Sequence, residues 1–208
     1  MIVVHHLNES RSQRVLWLLE ELGLPYEVKR YQRDATTNLA PPELKAVHPL
    51  GKSPVITDGD RTIAESGAIV DYLIRRYGNG RLQPDPASPD YDQYVHWLHF
   101  AEGSAMLPLM LQLYTMRLGD AGAPLKPRID GEIANHLGYV DAALAGREFL
   151  VGDDLTGADV QMTFVAEVAR MFGHLPSYPN LAAYVERMHA RPAFQRAVER
   201  GGGYALGS

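Results

Sequence analysis

The sequence predicts a two-part protein: an α/β domain of order β-α-β-α-β-β-α over residues 1–78, a linker over 79–89, and an all-α domain over 90–208. Three observations carry this reading. Short β-branched runs alternate with one-sided helical runs through the first part. Prolines and glycines crowd Gly78–Pro89. Helical periodicity dominates from there on.

The composition fits such a chain. Hydrophobic residues make up 46% and charged residues 22% of 208, ordinary for a globular protein with one or two cores. A formal net charge of -5 without a basic cluster argues against nucleic acid as the main partner. Cysteine is absent, which excludes disulfides, zinc-thiolate sites and a protein thiol nucleophile. Sulfur chemistry here would have to use sulfur carried by a ligand. The opening Met1-Ile2-Val3-Val4-His5-His6 lacks the basic start and apolar core of a secretory signal. The most apolar stretch, Ala105 to Met116, is too short for a bilayer and contains Pro108 and Gln112. The expectation is a cytoplasmic protein without membrane association.

Element by element, Ile2 to Leu7 reads as a buried strand. Ser12 to Leu22 carries Val15, Leu16, Leu18, Leu19 and Leu22 at helical spacing, with Gly23 as the stop. Pro25 to Tyr31 suits a second strand, and the crossover length fits a parallel pair. Pro41 to Lys45 can start a short helix, because proline is tolerated in the first turn. Pro54 to Thr57 and Arg61 to Ala64 are strands joined by a tight turn at Asp58-Gly59-Asp60. Ser66 to Tyr77 is a one-sided helix with Ala68, Ile69, Tyr72, Leu73 and Tyr77 apolar. Gly78 to Pro89 holds three prolines and two glycines, and is the linker. Beyond it helices are expected near 91–116, 125–144, 157–171, 181–190 and 192–199, and Gly201-Gly202-Gly203 reads as a mobile tail.

Two segments of the first domain point to chemistry. In Gly51-Lys52-Ser53-Pro54-Val55-Ile56 a proline opens a strand, so it marks an edge or a special turn. A cis Ser53-Pro54 bond there would expose the Ser53 backbone to pair with an extended ligand, and a trans edge proline is the plainer alternative. In Ile63-Ala64-Glu65-Ser66-Gly67-Ala68-Ile69 a strand turns into a helix. Ser66 reads as its N-cap. The same helix start suits a carboxylate, and Glu65 beside it suits an amine. Together they match an α-amino acid head group, which carries both charges.

A β-α-β-α-β-β-α domain with Ser-Pro before its third strand and Glu-Ser before its third helix resembles the thioredoxin-like domain of cytosolic glutathione transferases. The resemblance implies a cis Pro54 and a Ser53 backbone paired with the cysteinyl part of glutathione. It implies that Glu65 and Ser66 hold the γ-glutamyl end, with Lys52 near the glycine end. It implies no bound cofactor: glutathione is a co-substrate. The helical half carries its own likeness in Phe149-Leu150-Val151-Gly152-Asp153-Asp154-Leu155-Thr156-Gly157-Ala158-Asp159. Thr156 and Asp159 form a capping box, with Leu155 and Val160 as a hydrophobic staple. Asp159 is therefore structural, and its removal is expected to cost roughly 1 kcal/mol or more.

The chemistry needs a thiolate, and a hydroxyl donor plus a helix N-terminus can lower a thiol's pKa from about 8.5. Family members place a tyrosine, serine or cysteine after the first strand. The loop here is His6-Leu7-Asn8-Glu9-Ser10-Arg11-Ser12-Gln13-Arg14, without tyrosine or cysteine. Ser10 falls where serine-type members carry their hydroxyl, counting back from Arg14. Asn8 is the alternative amide donor, Arg11 an electrostatic helper, and capping of the first helix the structural reading of Ser10 and Ser12. The loop is similar to that of a bacterial and fungal subgroup. The resemblance implies conjugation of the thiolate to electrophilic, mainly apolar small molecules, as in detoxification, with peroxidase activity a possible addition. It also implies a homodimer. Met106, Met110 and Tyr114 share a helical face and are candidates for the electrophile pocket expected at the domain interface, core packing being their other reading.

Three rivals stand beside this. The protein can be a non-catalytic glutathione-binding or regulatory member of the fold. It can be an isomerase, although the Ser-Ser-Cys run of that branch is missing. His96, His99 and Glu102 at three-residue spacing can share a helix face, but without a complementary ligand cluster no metal site is expected.

Overall fold

The computed structural model describes residues 1–207. By their internal contacts they form two compact units: unit 1 is 1–82 together with the chain from Met188 on, and unit 2 is 83–187. The expected linker thus divides near Leu82–Gln83, and the end of the expected helical domain packs within the first unit.

Unit 1 holds β1 (Ile2–Leu7), α1 (Ser12–Leu22), β2 (Tyr26–Tyr31), α2 (Glu43–Val47), β3 (Val55–Asp58), β4 (Arg61–Ala64) and α3 (Ser66–Tyr77). The sheet order is β2-β1-β3-β4. β1 pairs parallel with β2 and antiparallel with β3, and β3 pairs antiparallel with β4. The central strand β1 is apolar at Ile2, Val4 and Leu7, all buried. α1 buries Val15, Leu16, Trp17, Leu18 and Leu19 and ends at Gly23 in the left-handed region, as the stop signal predicts.

The final helix of unit 1, α9 (Pro192–Gly201), lies along α1. Trp17 meets Phe194 edge to face, and Arg191 grips Glu21 with two bonds of 2.6 and 3.1 Å. Of the Gly201-Gly202-Gly203 segment, expected to be loose, Gly201 is buried against α1, while Gly202 and Gly203 are exposed. A Cβ on Gly201 would stand 2.7 Å from Gln13 Oε1 and 3.3 Å from Leu16 Cδ1. Gly202 closes α9 in the left-handed region, Tyr204 is buried, and the Ala205 N–H donates to Glu9 Oε1 at 2.9 Å. A run of glycines reads as slack in a sequence, yet here the missing Cβ permits close approach.

Unit 2 is helical: α4 (Asp90–Phe100), α5 (Met106–Met116), α6 (Lys126–Ala143), α7 (Gly157–Met171) and most of α8 (Pro179–His189). The single helix expected over 91–116 is interrupted by a π-helical turn, Ala101–Ala105. Pro108 supplies the reason: without an N–H it cannot bond the Ser104 carbonyl, and its ring crowds that group. Among the described residues no group of three His, Cys, Asp or Glu side chains can hold a metal ion. No helix among them is long and apolar enough to cross a membrane.

α7 is buried from Gly157 through Ala169 and forms the centre of unit 2. Its start is the expected capping box of Thr156 and Asp159. Asp159 does more than cap. Its Oδ2 accepts from the Thr156 N–H (2.8 Å) and hydroxyl (2.9 Å), and its Oδ1 from the Leu150 N–H (3.0 Å) and the Tyr184 hydroxyl (3.1 Å).

Candidate functional site

The strand directions bring the ends of β1, β2 and β4 and the beginning of β3 to one end of the sheet. Asn8 and Ser10 follow β1, Arg33 follows β2, Ser53 and Pro54 precede β3, and Glu65 and Ser66 follow β4. Residues scattered from Asn8 to Ser66 thus come to one end of the sheet in unit 1.

The Ser53-Pro54 bond is cis. Ser53 Oγ donates to His5 O (2.8 Å) and accepts from the Leu7 N–H (3.3 Å), which ties this turn to β1. The ladder closes at Val55, paired with His5 and Ala64. The Ser53 backbone lies beyond it, where it can pair with an extended ligand. Lys52 beside it is exposed.

Glu65 turns β4 into α3 with φ 71° and ψ 119°, a conformation that costs a non-glycine residue about 1–3 kcal/mol. Ser66, expected as the N-cap, is the first helical residue, and Glu65 holds the cap position without a side-chain cap bond. The backbone kink supplies the entry that a capping side chain would otherwise provide. No acidic side chain occupies the first turn of α3. Its first N–H groups and positive dipole end are thus not offset by an acidic side chain of that turn, which suits an anion. Ser66 Oγ, itself buried, accepts from Arg14 Nη1 at 3.4 Å.

In the loop after β1, Ser10 is buried. Its hydroxyl donates to Leu7 O (2.8 Å), accepts from the Ser12 N–H (3.2 Å) and lies 2.8 Å from Ser12 Oγ. Ser12 Oγ is in turn 2.8 Å from His6 Nδ1. One proton assignment satisfies all the 2.8 Å contacts: His6 Nδ1–H to Ser12, Ser12 O–H to Ser10, and Ser10 O–H to Leu7 O. Burial, aided by the Arg30 charge and opposed by the Gly201 backbone, holds His6 at about 4. The imidazole is neutral at neutral pH.

Asn8 is half-buried and gripped by the end of β2. Its N–H donates to Tyr31 O (3.3 Å), its carbonyl accepts from Arg33 Nε (3.1 Å), and its Oδ1 accepts from the Arg33 N–H (3.0 Å). A backbone N–H can only donate, so the atom facing Arg33 is the oxygen and Nδ2 is the end of the amide turned away from that N–H. Arg11 is half-buried beside this loop. In unit 2, Met106 is 1% exposed and belongs to the core, Met110 is half-buried, and Tyr114 is exposed. The three share a face of α5 but not a degree of access.

Two residues of unit 1 that touch this loop or the α3 start were given no role in the sequence. Arg33 grips Asn8, and Arg14 reaches Ser66. Arg33 acts on main-chain carbonyls, which leave no mark in a sequence. The Arg14 signal was available, since a charged residue amid the apolar run of α1 is buried here.

Comparison with known proteins gives the family. The family model described as Glutathione S-transferase, N-terminal domain, matches residues 1–75, and that of the C-terminal domain matches residues 103–192. Glutathione S-transferase 3 of Schizosaccharomyces pombe is 34% identical, covering 96% of this chain and 88% of its own. The crystal structure of a glutathione S-transferase from Actinobacillus pleuropneumoniae superposes with a TM-score of 0.91 at 36% identity, over 99% of this chain and 95% of that one. A glutathione transferase family member from Pseudomonas fluorescens, solved with two glutathione bound, has a TM-score of 0.80 at 29% identity, over 95% and 92% of the two chains. The fold is thus a thioredoxin-like N-terminal domain with an all-helical C-terminal domain, and the chain belongs to the cytosolic glutathione S-transferase family.

Proposed function

We propose that the protein binds glutathione in unit 1 and conjugates its thiolate to electrophilic, mainly apolar small molecules. The observation that carries this reading is the Glu65 kink at the start of α3. It sets a carboxylate beside a helix N-terminus free of acidic side chains. That pair complements the ammonium and carboxylate of one α-amino acid head group.

In this reading Glu65 receives the ammonium of the γ-glutamyl end, and Ser66 with the first N–H groups of α3 receives its carboxylate. The Ser53 backbone pairs with the cysteinyl residue, next to Pro54, and Lys52 meets the glycine carboxylate. The sulfur then lies against the loop after β1. Asn8 Nδ2 is its donor, because the Ser10 hydroxyl already donates to Leu7 O. Ser10 shapes the loop from within, and Arg11 adds positive charge. A donor and positive groups stabilise the thiolate over the thiol, whose proton goes to solvent. The sulfur forms a bond to an electrophilic carbon while the leaving group departs with the electron pair. With a hydroperoxide, two glutathione molecules are oxidised to the disulfide as the O–O bond is reduced to alcohol and water. By the same kinship the protein is proposed to work as a homodimer in the cytoplasm.

The engaged Ser10 hydroxyl also favours a second reading, a protein that binds glutathione without activating it. One experiment separates the two. Glutathione is titrated calorimetrically into the full chain and its Glu65→Gln variant, followed by a conjugation assay with a chlorodinitrobenzene probe. Glu65→Gln is expected to weaken binding roughly tenfold or more, as for loss of a charged hydrogen bond. Equal affinity of the two proteins would sink the head-group assignment. Binding without turnover of any electrophile would select the second reading.

A further inference from the structure

The sulfur-facing role of Asn8 rests on the reading above, and so does the following step. We infer that Arg33 is the positioning residue for that role, a clamp that aims the Asn8 amide outward.

Every polar group of Asn8 except Nδ2 is held by residues 31 and 33. Tyr31 O takes its N–H, Arg33 Nε takes its carbonyl, and the Arg33 main-chain N–H takes Oδ1. The guanidinium reaches further: Nη2 donates to Glu9 O (3.0 Å) and Nη1 to Asn38 O (3.1 Å). One side chain thus binds three main-chain carbonyls of two separate loops. A planar fork of five N–H donors can do this, and a lysine ammonium, a single point donor, cannot match its geometry.

Two of those carbonyls belong to residues in the left-handed region, Glu9 with φ 48° and Asn38 with φ 58°. Side-chain-bearing residues adopt it at a cost, so something must hold them there. Asn38 sits in a turn stabilised by Asp34, whose Oδ1 accepts from Thr36 N–H (3.1 Å), Thr37 N–H (2.7 Å) and the Thr37 hydroxyl (2.9 Å). Glu9 has no comparable turn of its own. Arg33 braces the Asn8–Glu9 loop against the ready-made Asp34–Leu39 turn. Burial lowers the Arg33 pKa and the Glu9 carboxylate opposes that, so the charge works in a partly desolvated place where its bonds count for more.

A residue that works through Asn8 must lose its effect when Asn8 is removed. The test is a double-mutant cycle on the full chain: Arg33→Gln, Asn8→Ala and the pair, with Arg33→Lys as the charge-conserving variant. Circular dichroism and urea midpoints identify any variant that fails to fold. The readouts are the pH midpoint of bound-thiolate absorbance and the split between kcat and KM for glutathione. Arg33→Gln is expected to raise the thiolate midpoint and to cut kcat roughly tenfold to a hundredfold at neutral pH, the scale of an ångström-sized misplacement. KM should change far less, because Arg33 does not touch the Glu65 end. In the Asn8→Ala background Arg33→Gln should change neither quantity further, and Arg33→Lys should restore only part of the loss. Should Arg33→Gln misfold, Arg33→Lys carries the same cycle. A thiolate midpoint moved by Asn8→Ala but not by Arg33→Gln overturns the clamp while sparing the Asn8 assignment. Additive effects overturn it equally. A midpoint untouched by Asn8→Ala overturns the assignment and the clamp together.

Discussion

Replacing Asp159 by alanine removes the acceptor of four buried hydrogen bonds, and its cost can be worked out from the donors left behind. The Leu150 and Thr156 N–H groups cannot turn away, whereas the Thr156 and Tyr184 hydroxyls can rotate toward other partners. A buried donor without an acceptor costs about 1–3 kcal/mol. Two fixed donors, plus a share for the hydroxyls, give about 4 kcal/mol for Asp159→Ala. This is well above the roughly 1 kcal/mol expected for a surface cap. Asp159→Asn keeps one oxygen and turns an N–H toward one of the fixed donors, which predicts about half that loss. The chain has two tryptophans, Trp17 in unit 1 and Trp97 in unit 2. A Trp17→Phe background lets Trp97 fluorescence report urea unfolding of unit 2. A measured loss below about 1 kcal/mol for Asp159→Ala would refute the view of Asp159 as a buried hub, and leave it an ordinary cap.

Two further predictions concern unit 1, read by Trp17 fluorescence in a Trp97→Phe background. His6 titrates at about 4 in the fold against about 6.5 unfolded. Between those values the folded chain binds fewer protons, so stability is full above pH 6.5 and falls as the pH drops toward 4, by about 3 kcal/mol. His6→Asn should flatten that slope, and an unchanged slope would assign the acid sensitivity elsewhere. Gly201→Ala brings its Cβ to 2.7 Å from Gln13 Oε1, the end of a flexible side chain, and to 3.3 Å from Leu16 Cδ1, and should cost about 1 kcal/mol, the low end of overpacking. No change would mean that the α1–α9 contact is looser than described.

Much of the fold was legible because periodicity carries it. α1, β4, α3 and α7 have the ends that their apolar spacing and stop signals predict, and the capping box announced α7 in three residues. The candidate site was legible where it depends on local grammar: Ser53-Pro54 marks a special turn, and Glu65-Ser66 a strand-to-helix switch. It was not legible where tertiary packing decides. Ser66 reads as a cap, but the φ of Glu65 moves the cap one residue back. Ser10 reads as a catalytic hydroxyl or as a cap of the first helix, and its bonds to Leu7 O and Ser12 are contacts that the sequence does not show. Arg33 carries no sequence signal because its partners are main-chain carbonyls. Gly201 looks slack because nothing in the sequence tells that Gln13 and Leu16 stand against it.

The central claim is that the loop after β1 activates the glutathione thiol through Asn8. It is tested most directly by thiolate absorbance of bound glutathione across a pH series, for the native chain and for Asn8→Ala and Ser10→Ala. The expected result is a saturable thiolate signal with a midpoint well below the free thiol's value of about 8.5. The midpoint should return toward that value in Asn8→Ala and stay low in Ser10→Ala. A native midpoint equal to that of free glutathione, or one that moves with Ser10 and not with Asn8, would contradict it.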